Sequence, residues 1–160
     1  MWKKLIKYLG GCVFIAVLFS PIHANAQGTK PQSNVDNSNV RPPVTQADLQ
    51  IVKRAREILS SESKWNRADN RVCPAEAKTV SLYCALQIAT VEIGRKAEHR
   101  GAALQEARFV IDEIAADRNY EHRLMNYNND PTTTFADIQE VLNITEGLIT
   151  LRLRANGIKP

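Results

Sequence analysis

The sequence predicts an all-α protein: a single small bundle of about four main helices, with an irregular Asn-rich elbow before the last of them. Three observations lead there. Apolar residues recur at spacings of three and four in four separate stretches. Cap and stop residues bound most of these stretches. No run of alternating β-branched residues lies between hairpin turns. With 160 residues, 44% of them hydrophobic and 24% charged, the chain is long enough for one modest core.

The first helix is expected from Thr45, a good N-cap, with Asp48 three positions on where its charge favours the helix start. Leu49, Val52, Ala55 and Leu59 share a face that Ile51 and Ile58 widen, and Lys53, Arg54, Arg56 and Glu57 lie opposite. This helix should stop between Ser60 and Ser63. A polar connection follows from 62 to about 73, with Trp65 in its middle. Trp65 there reads either as a plug at the end of a helical core or as a platform for a ligand. Val80 to Ile93 is the most apolar stretch, and a helix apolar nearly all round belongs in the middle of a bundle. It either closes at Gly94 or runs on toward Gly101. A third helix is expected over about Ala102 to Asp117, with Leu104, Ala107, Val110, Ile111 and Ile114 inward and Glu106, Arg108, Asp112 and Glu113 outward. Residues 119–131 break the pattern, with room for a short helical turn at Leu124 and Met125. Thr134 then precedes Asp137 by three, the acidic form of a capping box, and opens a helix that fades near Ala155 before Asn156-Gly157.

Residues 1–26 read as a cleavable signal peptide. Lys3, Lys4 and Lys7 precede an apolar run from Tyr8 to Phe19, Pro21 breaks it, and Ala24-Asn25-Ala26 offers the small residues of a cleavage site before Gln27. The run is short for a membrane span, so an uncleaved anchor is the lesser alternative. Cys12 precedes most of the apolar run, which is the wrong order for lipidation. The expected location is therefore the periplasm or the exterior. Residues 27–44 are rich in Asn, Ser, Pro and Gly and read as a disordered linker, leaving 45–157 as the domain. Three basic residues and none of the 17 acidic ones lie in the leader, so the mature net charge falls from +4 to +1. That balance, with no run of five or more like charges, argues against nucleic acid as a partner. No membrane span is expected once the leader is gone.

The mature chain keeps Cys73 and Cys84. If Pro74 starts the second helix, the two lie ~15 Å apart on one rod and no bridge forms. If residues 73–78 are a loop and the helix starts near Thr79, the loop folds back and a bridge closes, contributing about 3 kcal/mol. Both readings stand at this point. Without a bridge, Cys84 is a buried apolar thiol on the core stripe.

HExxH, P-loop, G-x-S-x-G and GxGxxG patterns are missing, and the two mature histidines, His99 and His122, show no metal-ligand spacing. No metal and no cofactor are expected. The densest polar stretch holds His122, Arg123, Tyr127, Asn128, Asn129 and Asp130. These side chains donate and accept in fixed directions, as a recognition surface requires. The same residues also build tight turns, and Asp130-Pro131 is a turn signal. With Trp65 they form the candidate binding set. Cys73, Cys84, Thr134 and Asp137 form the candidate structural set.

Trp65-Asn66, Tyr83-Cys84-Ala85-Leu86, Tyr127-Asn128-Asn129-Asp130-Pro131 and Thr134-Phe135-Ala136-Asp137-Ile138 with Val141-Leu142 follow one another in the order of a bacterial domain family of unknown function. The chain resembles that family of short helical proteins over about residues 55–150. It departs in its second Asn, in Phe135 where a His is frequent, and in its export leader. The resemblance implies a fold and carries no activity.

Three functions compete. The first is a non-enzymatic exported protein that binds an unknown protein or cell-envelope component through the elbow. The second is a small hydrolase or transferase using His122, Asp130 and Asp137. The third is a periplasmic immunity or inhibitor protein.

Overall fold

The structure, a computed structural model, describes residues 41–160. The expected signal peptide and all of the expected linker before residue 41 lie outside the described residues. The described residues form five α-helices: α1 (Gln46–Ile58), α2 (Leu82–Gly94), α3 (Ala102–Ile114), α4 (Arg123–Asn129) and α5 (Phe135–Ala155). A 3-10 turn, Glu62–Lys64, follows α1. No strand occurs among the described residues beyond a single parallel bridge between Trp65 and Val80. The fold is all-α and bundle-like. Helix α1 packs on α2 and α5, α3 packs on α5, and the short α4 seats against α3 and α2. The four longer helices are the expected ones. The elbow is more regular than expected, because α4 occupies its centre.

Leu49, Val52, Ala55, Leu82, Leu86, Leu104, Ile111, Leu124, Ile138, Leu142, Ile149 and Leu153 close the core, each at most 1% exposed. At the α1 start, Asp48 Oδ2 accepts from the Thr45 amide at 2.8 Å and its hydroxyl at 2.7 Å. Its Oδ1 reaches across to the Ala103 amide at 3.1 Å, so one carboxylate ties the beginnings of α1 and α3 together. Residues 41–44, the end of the stretch read as linker, are packed. Val44 is buried, Arg41 pairs with Glu106 at 2.8 Å, and the Pro42 carbonyl accepts from Arg152 at 2.8 Å.

Two expectations about helix faces change. Helix α2 is buried over its first turns, but Val91 and Ile93 are 44% and 40% exposed, because residues 91–98 outrun the core. Helix α3 is buried over an unbroken run from Ala102 to Arg108, including Glu106 and Arg108, which periodicity placed outward. The strap at 41–44 and the segment before α3 cover that second side. Glu106, fully buried, is held by Arg41 and Arg152. Arg108, also fully buried, donates to the His99 carbonyl at 3.0 Å and to Gln105 Oε1 at 2.7 Å. Buried charges survive only when matched in this way. Helix α2 ends at Gly94, yet the left-handed residue that closes it is Arg95, at φ 61°.

Candidate functional site: the asparagine elbow and its cleft

Beyond its 3-10 turn, the chain between α1 and α2 has no regular structure, so its backbone groups need partners from elsewhere. At the base of this loop, Asn66 donates its amide to the Val80 carbonyl and Val80 donates to the Lys64 carbonyl, both at 2.9 Å. Cys73 and Cys84 are disulfide-bonded with Cα atoms 5.2 Å apart. The loop reading of residues 73–78 is therefore the right one of the two, and α2 starts only at Leu82, capped by Ser81, whose Oγ accepts from the Cys84 amide at 3.1 Å.

The third fastening comes from α4. Asn128 is fully buried. Its Oδ1 accepts from the Trp65 indole N–H at 2.8 Å and the Leu82 amide at 3.0 Å. Its Nδ2 donates to the Asn66 carbonyl at 3.0 Å and to Asn129 Oδ1 at 3.1 Å. Asn129 then accepts from the Asp69 amide at 2.7 Å and donates to the Asp69 carbonyl at 2.8 Å, a side-chain amide pairing as a strand neighbour would. All the hydrogen-bonding atoms of both side-chain amides are thus engaged within the fold. Trp65 is buried with its ring 6.1 Å from that of Phe135, closing the end of the core. Arg67 lies over the Trp65 ring at 5.2 Å, and its Nη2 donates to the carbonyls of Asp130, Pro131 and Thr133 at 3.0–3.1 Å. No sequence pattern announces this role of Arg67.

Asp130 closes the turn into α5. Its Oδ1 accepts from the Thr132 amide at 2.8 Å and hydroxyl at 2.6 Å. Its Oδ2 accepts from the Tyr120 hydroxyl at 2.8 Å and pairs with Arg118 at 2.7 Å. The Thr132 bonds, then Tyr120 and the Arg118 charge, hold its carboxyl well below the usual carboxylate range. Asp137 is lowered too, by the Thr134 hydroxyl and amide, both 2.7 Å from its Oδ2. This is the expected capping box, and the Asp137 amide returns a bond to Thr134 Oγ1 at 3.3 Å.

His122 and Arg123 face elsewhere. Arg123 is buried, pairs with Asp112 and lies 5.6 Å from the Phe109 ring centre. His122 caps α4, its amide donating to Asn126 Oδ1 at 2.9 Å, while its Nδ1 is buried without a partner among the described residues. The structure thus brings Trp65, Asn128 and Asn129 into one network and places Asp130 at its edge. His122 and Arg123 stay outside it.

Beside this network a cleft of about 340 Å³ opens between the end of α3 and the start of α5. Asp117, Arg118, Tyr127, Thr132, Thr133 and Asp137 provide its polar wall. The Tyr127 ring stands edge-on to Tyr120, with centroids 6.3 Å apart. No residue described in the structure bonds its hydroxyl, which is not among the atoms sealed from solvent. Burial, with the charges of Asp137 and Glu140 behind it, pushes its pKa up to about 12. Arg118 on the cleft wall, and Tyr120, which bonds Asp130 and packs on Tyr127, carry no motif. The nearest signal was the Asp130-Pro131 turn, which brings Thr132 and Thr133 round to it. Among the described residues no group of three or more His, Cys, Asp or Glu is placed to hold a metal, and no helix is long and apolar enough to cross a membrane.

No curated protein and no solved structure matches the chain. A family model does: it spans residues 43–147, from the strap before α1 to the middle of α5, and so takes in the loop, the elbow and the cleft together. The chain belongs to the family described as a family of unknown function, DUF6197.

Proposed function

We propose that this is an exported, non-enzymatic recognition protein whose elbow cleft takes a polar segment of a partner protein or cell-envelope component. The observation that carries the reading is the Tyr127 hydroxyl. Asn128, Asn129 and Asp130 are turned inward onto the fold, whereas Tyr127 lines a polar cleft and its hydroxyl has no partner among the described residues. A rigid aromatic ring with a free polar tip loses little entropy on binding. Asp137 and Thr133 beside it add an acceptor and a hydroxyl, and Arg118 adds donors. Export is supported by the leader-like start and by the disulfide, which persists in oxidising compartments.

The test is capture from envelope extracts with wild-type and Tyr127→Phe protein as paired baits. Tyr127→Phe removes only a hydroxyl that has no partner inside the fold, so its melting temperature should stay with wild type. A species held by wild type and lost by the variant supports the cleft. Equal capture by both moves recognition elsewhere. Export is read separately, by fractionating cells and sequencing the mature N-terminus, with Gln27 expected.

A further inference from the structure

Tyr127 is not alone in the cleft. Thr133 is 3% exposed and Tyr127 6%, and both line it. No described residue bonds either hydroxyl, yet neither oxygen is among the atoms sealed from solvent. Two side chains enclosed over more than nine-tenths of their surface thus keep their polar tips open on one cleft. The fold holds both in place. The Tyr127 ring packs edge-on to Tyr120. The Thr133 amide donates to the Asp130 carbonyl at 3.1 Å, and the Thr133 carbonyl accepts from Arg67 at 3.0 Å.

The unmatched charge around these hydroxyls is negative. Asp117 and Asp137 line the cleft, and neither has an ion-pair partner among the described residues. Thr134 occupies Oδ2 of Asp137, whereas Oδ1 is neither bonded nor sealed from solvent. Arg118, the only basic side chain among the described residues that line the cleft, is committed to Asp130 Oδ2 at 2.7 Å and to the Tyr120 hydroxyl at 3.0 Å. Burial does most to raise the Tyr127 pKa; of the charges acting on its hydroxyl, Asp137 and then Glu140 act most strongly and Arg118 most weakly. An anion would be repelled here, and a neutral group would leave the carboxylates unmatched. An ammonium presents three donors from one point, whereas a guanidinium spreads five N–H groups over a plane and meets separated acceptors at once. The acceptors belong to separate residues around a space of about 340 Å³. We propose that the cleft takes the guanidinium of an arginine side chain on a partner protein, with Asp137 Oδ1 and the Tyr127 and Thr133 hydroxyls accepting its N–H groups. This assignment rests on the reading of the cleft as a recognition site and names the chemistry that it recognises.

The experiment is amide-resolved NMR titration of the oxidised protein with capped tripeptides, acetyl-Gly-X-Gly-amide, in which X is arginine, lysine or citrulline. The arginine peptide should shift the Asp117, Arg118 and Thr133 amides saturably. Citrulline keeps the shape and loses the charge, and its peptide should bind about tenfold more weakly; the lysine peptide should bind about threefold more weakly than arginine. The double variant Asp117→Asn/Glu140→Gln changes two exposed carboxylates and should weaken the arginine peptide about tenfold while leaving citrulline unchanged. Tyr127→Phe should weaken arginine and citrulline alike, because the lost hydroxyl accepts from either. Citrulline or lysine binding as tightly as arginine overturns the assignment, as does an unchanged arginine affinity in the double variant or the lack of any saturable shift. Tight citrulline binding at these amides would sink the charge selection and keep the cleft as a recognition site. The cleft itself is judged by the paired capture with Tyr127→Phe, so the two failures are told apart.

Discussion

Asn128 meets four groups at once, and three of them, the Trp65 indole N–H, the Leu82 amide and the Asn66 carbonyl, lose their partner in Asn128→Ala. Each buried orphan costs about 1–3 kcal/mol, so the variant should lose roughly 3 kcal/mol or more in urea unfolding, with Trp65 emission moving to the red. Asn129→Ala should cost less, since its Asp69 partners are nearer solvent. A small loss for Asn128→Ala would mean the network is not what holds the loop. Sequence reading assembled most of this set from residue types alone, because Asn, Asp, Tyr and Trp are the side chains that serve both recognition and turns. It could not apportion them. Which amide faces the backbone of a loop some 60 positions away is a matter of tertiary register, and Arg67, Asp69 and Arg118 looked like any solvated charge. At the same scale, the depressed Asp130 and Asp137 carboxyls contribute stability that is present above the ordinary carboxylate pKa of about 4 and is lost as pH falls below it through their lowered values. Tyr127 works at the other end. Its raised pKa makes stability fall as pH climbs from about 10 to about 12, and Tyr127→Phe should remove that limb from a plot of melting temperature against pH.

Helix ends carry the next level. Thr134→Ala should cost about 1 kcal/mol in unfolding free energy, since it removes both bonds of the Thr134 hydroxyl to Asp137 and leaves only the backbone amide bond. Arg95, exposed and left-handed at the end of α2, bears a conformational cost that glycine does not, so Arg95→Gly should gain up to about 1 kcal/mol. A loss there would point to a role for the Arg95 side chain. The helices themselves were legible because three- and four-residue periodicity is a local property. The faces of α2 and α3 were less so. Periodicity counts one buried side, whereas α3 is covered on two, by α5 and by residues 41–44, and its polar positions had to be matched with Arg41, Arg152 and the chain before α3. Glu106→Ala should therefore cost about 1–3 kcal/mol, less than breaking a wholly buried pair because Arg41 and Arg152 reach solvent, where an outward Glu would cost almost nothing.

For the molecule as a whole, the loop between α1 and α2 is fastened by the Trp65–Val80 bridge, by Asn128 and Asn129, and by the Cys73–Cys84 bond. Replacing both cysteines with Ala should lower stability by about 3 kcal/mol while α1, α3 and α5 keep their helicity, measurable by denaturant melts followed at Trp65 and by circular dichroism. Spacing could not decide this bond in advance, because the outcome hinges on where α2 begins, and Pro74 is an acceptable first residue for a helix. The sulfur bridge also lines a chamber of about 200 Å³ beside Asp69 and Val80. Newly made chain, still carrying thiols, consequently lacks one side of that chamber, and only exposure to an electron acceptor after synthesis completes it. Completion of that wall and formation of the bond then become a single event.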